Sequence, residues 1–318
     1  MSPVRVGFLS TARINGLVLE GARLTDRVEV VAVASRELEK AQAHAAELGI
    51  PRARGSYQEL LEDPEIDAVY ISLPNSLHVE WSIRALDAGK HVLCEKPLTR
   101  RPEEAEQAFD AAERNGRILM EAFMWRHHPQ TKRLQDLVDE GAIGELRLVR
   151  AAFSFVLTRL GDVRMRPELD GGALMDVGCY CVSGARLLAG EPERCTAEQV
   201  VAPTGVDVRF AGTLRFPGDV VGHFDCAFDL PGRAGLEVVG SEGTLFVPDP
   251  WHARQPLIEL RRDDEVERIE PQPANRYQLQ MENFADAIRG VAAPLLGRED
   301  AVGQARAIAM LYEAAAGS

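Results

Sequence analysis

Val4-Arg5-Val6-Gly7-Phe8-Leu9-Ser10-Thr11-Ala12-Arg13-Ile14-Asn15-Gly16 opens the chain with an apolar run that breaks into a turn of small and polar residues. That is where a nucleotide-binding protein carries a glycine-rich phosphate turn, yet the three glycine positions of G-x-G-x-x-G hold Ser10, Ala12 and Asn15. In such a turn the second glycine lets backbone approach a pyrophosphate, while the helix N-terminus behind it supplies N–H groups and partial positive charge. A methyl group at Ala12 is tolerated if the loop sits slightly further out, and Ser10, Thr11 and Asn15 add hydrogen-bonding groups around the turn. The segment Ser10-Thr11-Ala12-Arg13-Ile14 therefore remains a usable phosphate loop. Taken alone, it fits any strand-to-helix turn of an α/β protein equally well.

Outward from this turn the pattern repeats. From residue 4 to about 121, apolar strands alternate with amphipathic helices: strands at 4–9, 28–34, 68–73, 91–94 and 118–121, with helices to about 24 and over 37–48, 77–88 and 103–115. Continuous apolar runs such as Ala68-Val69-Tyr70-Ile71-Ser72-Leu73 indicate strands buried on both faces. Short connections force right-handed crossovers, so a parallel doubly wound Rossmann sheet is expected. After a helix over 129–140 the pattern changes to long alternating segments at 146–157, 206–216, 219–229, 235–240 and 243–248, joined by turns such as Phe216-Pro217-Gly218-Asp219. The expectation is an α/β chain with a Rossmann domain over 1–122 and an α+β domain over 123–318 built on a large, mostly antiparallel open sheet.

At 318 residues both domains are large enough to bury a core. The balance of 36 basic against 49 acidic side chains, net −13, makes nucleic acid and anionic membrane surfaces poor partners. No apolar run approaches the ~20 residues of a membrane span. The N-terminus enters a strand without a signal-peptide core, so a cytoplasmic location is expected. Cysteines at 94, 179, 181, 195 and 226 show neither a secreted framework nor C-x-x-C spacing, and read mostly as buried thiols.

Three places carry chemistry. The second strand ends in Ser35-Arg36, where an NAD enzyme places Asp or Glu against the adenosine 2′-hydroxyl. A hydroxyl and a guanidinium suit a 2′-phosphate instead, which favours NADP over NAD; the plain alternative for Arg36 is a solvated helix-start residue. Ligands of open parallel sheets lie beyond the carboxyl ends of the strands, and two such ends are chemically loaded: Leu73-Pro74-Asn75 running on to His78, and Cys94-Glu95-Lys96-Pro97. Lys96 is one of only four lysines and precedes a proline, so it is held extended; it is either a proton-shuttling ammonium or a structural partner of Glu95. In Asp170-Gly171-Gly172-Ala173-Leu174-Met175-Asp176-Val177-Gly178-Cys179-Tyr180-Cys181, Asp170 is placed to cap a helix with Asp176 and Tyr180 four apart on one face. A phenol beside a carboxylate and an ammonium can take a proton from an alcohol, or it can simply be tied to Asp176 inside a core. His127-His128-Pro129 reads as a junction into a helix, and no metal site is proposed.

Together these residues resemble the glucose-fructose oxidoreductase, inositol dehydrogenase and MocA family. The resemblance rests on the first turn, Pro74-Asn75 with His78, Glu95-Lys96-Pro97, Glu121-Ala122-Phe123-Met124-Trp125-Arg126, Asp176 to Tyr180 and Glu282-Asn283-Phe284-Ala285-Asp286-Ala287-Ile288. Tyr rather than His four residues after the Asp is most similar to the branch of dimeric dihydrodiol dehydrogenases and NADP-dependent D-xylose 1-dehydrogenases. The resemblance implies that Lys96 and Tyr180 carry the proton chemistry, that Asp176 orients substrate hydroxyls, and that Trp125 and Arg126 line the nicotinamide end, the plain alternatives being core packing for Trp125 and a surface ion pair for Arg126. It places the rest of the cofactor contacts at Ser10 to Ile14, Ser35, Arg36, Leu73, Pro74, Asn75, His78 and Glu95, and adds Phe155 and Tyr277 to the substrate side. The implied activity is NADP-dependent hydride transfer at a sugar or cyclic polyol hydroxyl, as an aldose 1-dehydrogenase or trans-dihydrodiol dehydrogenase. A 3-ketosugar reductase, a redox-assisted glycoside hydrolase and a non-catalytic NADP(H)-binding protein remain alternatives. Few helices follow residue 190, so one face of the second sheet is expected to be covered by another subunit, as a homodimer or homotetramer.

Overall fold

The computed structural model describes residues 2–159 and 161–317, and the chain divides into two compact units, Met1–Met124 with Asn275–Val302 and Trp125–Ala274 with Gly303–Ser318. The first unit is built from β1 (Val4–Leu9), α1 (Ile14–Ala22), β2 (Val28–Ala34), α2 (Leu38–Leu48), β3 (Arg52–Arg54), α3 (Tyr57–Glu62), β4 (Ala68–Ile71), α4 (His78–Asp87), β5 (His91–Cys94), α5 (Pro102–Arg114) and β6 (Leu119–Glu121). All of its strand pairs are parallel, in the order β3-β2-β1-β4-β5-β6. Val6, Phe8, Leu9, Val69, Tyr70 and Ile71 are buried because helices cover both faces of these strands. The order reverses between β1 and β4, so the Ser10 turn and the loop after β4 open at the switch point where α/β sheets bind ligands. The short edge strand β3 escapes the apolar pattern: its Arg52 and Arg54 both reach the buried carboxylate of Asp63, at 3.0 and 2.8 Å.

The second unit continues with α6 (Pro129–Asp139), β7 (Leu146–Val156), a π-helical turn (Leu174–Gly178) running into α7 (Cys179–Ala189), then β8 (Arg194–Val201), β9 (Asp207–Arg215), β10 (Val221–Ala227), β11 (Asp229–Gly240), β12 (Thr244–Val247), β13 (Ile258–Arg262) and β14 (Glu265–Ile269). Its eight strands run in the order β14-β13-β12-β11-β7-β10-β9-β8. Every pair is antiparallel except β10 with β7, whose parallel register sets Phe224 opposite Ala151. On one face Ala151, Leu214, Phe224, Leu236 and Leu245 form the core; on the other, ion pairs such as Arg150–Glu237 and Arg233–Asp225 alternate with them.

Two helices close the chain. The sequence divides simply near residue 122, but α8 (Arg276–Ile288) joins the first unit, where it lies on α1. The contact is close at Gly21: a Cβ there would stand 2.6 Å from Tyr277 Cβ and from Gln278 N. Asp286 pairs with Arg27, and Arg289 reaches the carbonyls of Ser2 and Arg27. Gly21→Ala should therefore overpack backbone against backbone and cost about 1–3 kcal/mol, read as a lower urea midpoint at unchanged m-value; an unaltered midpoint would show that α8 does not depend on this approach. The last helix, α9 (Arg298–Ala316), covers the core face of the second sheet from residue 303 on, where Leu311 meets Gly212 and the Tyr312 ring lies edge-on to Phe210. No helix among the described residues is long and apolar enough to cross a membrane.

Candidate active site

At the end of β1 the turn is held from inside. Ser10 takes φ 146°, a conformation that favours glycine, and its hydroxyl lies 2.7 Å from Ser72 Oγ and accepts from Ala12 N at 3.1 Å. Asn15 donates to Ser10 O at 2.8 Å and accepts from Ser72 Oγ at 2.7 Å. Two of the three missing glycines are thus replaced by side chains knit into a buried Ser10–Asn15–Ser72 network that shapes the loop. Thr11, Ala12 and Ile14 are half-buried and Arg13 is exposed; no side chain caps α1, and the amides of Asn15 and Gly16 bond back to the carbonyls of Ala12 and Arg13 at 3.1 and 3.2 Å.

Beyond β2, Ser35 is buried and its hydroxyl accepts from Glu37 N at 3.4 Å, while Arg36 is exposed and its guanidinium lies within electrostatic reach of the Tyr57 phenol. Burial raises the pKa of that phenol, with the guanidinium opposing. Tyr57 packs edge-to-face on Trp81, so Arg36 stands on a built platform, a partner not visible in the sequence pattern. Beyond β4, Leu73 is buried and Pro74 leads into a short 3-10 turn over Asn75–Leu77. His78 is 1% exposed with Nε2 2.8 Å from Leu73 O and Nδ1 2.9 Å from Pro97 O. Both its nitrogens lie at hydrogen-bonding distance from a backbone carbonyl, so the ring ties the β4 loop to the turn after β5.

That turn carries Glu95 and Lys96, with the Lys96–Pro97 bond cis. Glu95 accepts the Tyr70 hydroxyl at 2.6 Å and Lys96 N–H at 3.3 Å, and Leu98 N is fixed by Glu121 Oε1 at 2.7 Å. Tyr277, on α8 of the same unit, lies within electrostatic reach of Glu95 and Lys96; burial pushes its phenol up, with Arg276 and Lys96 opposing. The first unit therefore gathers Glu95, Lys96 and Tyr277 with Tyr70, a residue that reads in the sequence only as part of an apolar strand.

In the second unit, Asp176 lies on the π-turn and Tyr180 in the first turn of α7, so they are not stacked on one regular helix face. Nor does Asp170 cap this helix. It is itself left-handed at φ 52°, and the amide of Leu174 is taken instead by Asp207 at 2.7 Å. Asp176 accepts Arg164 Nε at 2.7 Å, and Arg164 also reaches Asp162 at 3.3 Å. The Tyr180 ring sits edge-on to Phe153 at 5.4 Å and tilted to Trp251 at 5.9 Å. Phe155, expected on the substrate side, packs edge-on to Phe228, and the ring beside Tyr180 is Phe153, two residues earlier on the same strand face. Trp125 is 1% exposed and edge-on to Trp251, so its place is in the core supporting that ring, and Arg126 lies over Trp125 and reaches Ser183 Oγ at 3.4 Å. His128 caps α6, its Nδ1 accepting from Gln130 N at 3.1 Å, and burial holds His127 down to about 3.

Known proteins share the sequence pattern and fold of this chain. A family model described as "Oxidoreductase family, NAD-binding Rossmann fold" matches residues 5–123, and one described as "GFO/IDH/MocA C-terminal domain" matches residues 131–246. The D-xylose 1-dehydrogenase (NADP(+)) 2 of Haloferax volcanii is 40% identical over 316 residues, covering 97% of this chain and 96% of that protein. The trans-1,2-dihydrobenzene-1,2-diol dehydrogenase of Danio rerio is 42% identical over 225 residues, covering 69% of this chain and 66% of that one. Among solved structures, a 3-ketoreductase from Actinomadura kijaniata in complex with NADP and TDP-benzene superposes with a TM-score of 0.92 at 32% identity, covering 98% of both chains.

Proposed function

The chain belongs to the Gfo/Idh/MocA oxidoreductase family, and on that basis we propose that it is an NADP-dependent dehydrogenase of sugars or cyclic polyols, acting as an aldose 1-dehydrogenase of the D-xylose or D-glucose type. The observation that carries this reading is the Asp176–Tyr180 segment, a carboxylate held by Arg164 and a phenol packed among aromatic rings. The NADP-linked relative that spans nearly the whole chain supports it.

The residues fit the cofactor. The uncapped start of α1 suits the pyrophosphate, and Ser35 with Arg36, in place of an acidic residue, suits the 2′-phosphate. When bound, NADP supplies the hydride acceptor at the alcohol carbon. Tyr180 Oη takes the proton of the reacting hydroxyl, Asp176 accepts a hydrogen bond from a neighbouring sugar hydroxyl and orients the ring, and Lys96 favours the ionised phenol. Glu95 and Tyr70 hold the strand end that presents Lys96.

Incubating the protein with NADP and a panel of free aldoses, while monitoring absorbance of the reduced cofactor, should give reduction with a pentose or hexose aldose. The likeness to the 3-ketoreductase favours one second reading, reduction of a keto-sugar by the same residues. NADPH consumption on a keto-sugar with no reaction on any aldose would select it.

Self-association fits the second sheet, whose outer rows mix Leu148, Val221 and Val239 with ion pairs. A dimer or tetramer by light scattering at micromolar concentration is the expected mass, and a monomer would overturn this. Cys94, Cys179, Cys181 and Cys226 are buried free thiols, which suits a reducing compartment such as the cytoplasm.

A further inference from the structure

A π-helical turn is rare and occurs mostly as a single turn inside an α-helix, frequently at a functional site. Here it determines how Asp176 stands relative to Tyr180, because the extra residue rotates the backbone leading into the turn against the start of α7. Three observations identify the restraint. Asp207, the first residue of β9, accepts Leu174 N–H at 2.7 Å on one carboxylate oxygen, and Tyr312 of α9 donates its hydroxyl to the other at 2.9 Å. Asp207 is 3% exposed, so a carboxylate has been brought into the interior to receive these donors. Third, Gly172 has φ +126°, and a Cβ on it would stand 2.1 Å from Asp207 Oδ1; the backbone before the turn is pressed onto that carboxylate. Gly172 in turn accepts Asp176 N–H at 3.0 Å, which completes a chain of contacts from Tyr312 through Asp207 to the backbone of Asp176. On the other side of the turn, Gln304 of α9 donates to Cys179 O at 2.8 Å, one residue before Tyr180, and accepts from Arg186 Nη1 at 3.0 Å.

We propose that Asp207, steadied by Tyr312, is a positioning residue that holds the π-turn and so sets the Asp176 carboxylate against the Tyr180 phenol. This rests on the proposed roles of Asp176 and Tyr180. The helix-capping carboxylate comes from a strand more than thirty residues downstream, and Tyr312 comes from the last helix of the chain. Asp207 meets the turn at the Leu174 amide, and Tyr312 acts through Asp207.

The test uses the full chain with NADP and its best sugar. Tyr312→Phe keeps the ring on Phe210 and deletes one hydroxyl; Asp207→Asn keeps the shape and removes the charge at the Leu174 amide. In each, turnover per NADP-binding site, with sites counted by titration, should fall about tenfold while NADP affinity stays unchanged; this corresponds to about 1.4 kcal/mol of transition-state stabilisation. A purely structural role would lower the number of NADP-binding sites or the melting temperature and leave turnover per site alone, and that result would overturn the proposal. If Asp207→Asn does not fold, Tyr312→Phe decides, since it leaves the carboxylate and its Leu174 contact in place. Normal turnover per site in Tyr312→Phe alongside an inactive Tyr180→Phe would sink only this inference. A fully active Tyr180→Phe would sink the functional reading beneath it.

Discussion

Tyr180→Phe is expected to lower turnover by about 10²–10⁴-fold while NADP affinity stays almost unchanged. The substitution keeps the ring that Phe153 and Trp251 pack, at 5.4 and 5.9 Å, so the hydroxyl is all that is lost. An unperturbed phenol titrates near ~10, so alcohol oxidation near neutrality needs a neighbouring cation to favour the ionised form. Lys96 is the group proposed to supply that charge. Lys96→Met should then also reduce turnover and, in the residual activity, move the pH at which oxidation rises upward, because the phenol has lost a positive neighbour. The sign distinguishes two mechanisms. Should Tyr180→Phe turn over near-normally with an unaltered pH profile, the proton goes elsewhere, and Lys96 is the leading base.

The second large effect concerns the cofactor. Arg36→Asp should reverse preference from NADP towards NAD, since a charge-assisted hydrogen bond to a phosphate contributes about 1.5–3 kcal/mol. That corresponds to roughly a 10–150-fold loss of NADP affinity before repulsion between the new carboxylate and the 2′-phosphate is added. NAD affinity should rise, because a carboxylate at this strand end accepts from the ribose hydroxyl. The Tyr57 phenol beside Arg36 supplies a control. Tyr57→Phe should weaken NADP binding by much less than Arg36→Asp, with no gain for NAD. Equal NADP affinity in wild type and Arg36→Asp, measured by fluorescence titration, removes Arg36 from the site.

Much of the architecture was legible along the chain because parallel strands covered on both faces leave a continuous apolar run. Val6 to Leu9, Val30 to Ala34 and Ala68 to Ile71 all read this way. Strands that carry charge did not read. β3 is Arg-Ala-Arg, β14 is Glu-Val-Glu-Arg-Ile, and both lie at a sheet edge where one side of the ladder faces away from the core. At the site, the residues that chemistry demands were visible by type: Lys96 before a proline, Arg36 where an acid is usual, Asp176 and Tyr180 four apart. Their partners were not. Tyr70 under Glu95, Arg164 on Asp176 and Phe153 beside Tyr180 belong to segments whose own pattern announces only a strand or a loop.

The succession of the two sheets, the place of the nucleotide turn and the chemical types at the strand ends are all written along the chain, in local periodicity and in single substitutions at known offsets. How those groups are held emerges only when the chain folds. Ser10 and Asn15 close on Ser72 just beyond β4, α8 returns to lie on α1 at Gly21, and the turn bearing Asp176 widens into a π-helix whose Leu174 amide is taken by Asp207. For the two polar networks the physical reason is the same: a buried polar atom must find a partner, and the partner that wins is whichever the folded chain brings within hydrogen-bonding distance. For α8 it is close packing, since only a residue without a side chain lets two backbones approach as they do at Gly21. In each case the residues that meet are remote in sequence and carry no local mark of the meeting.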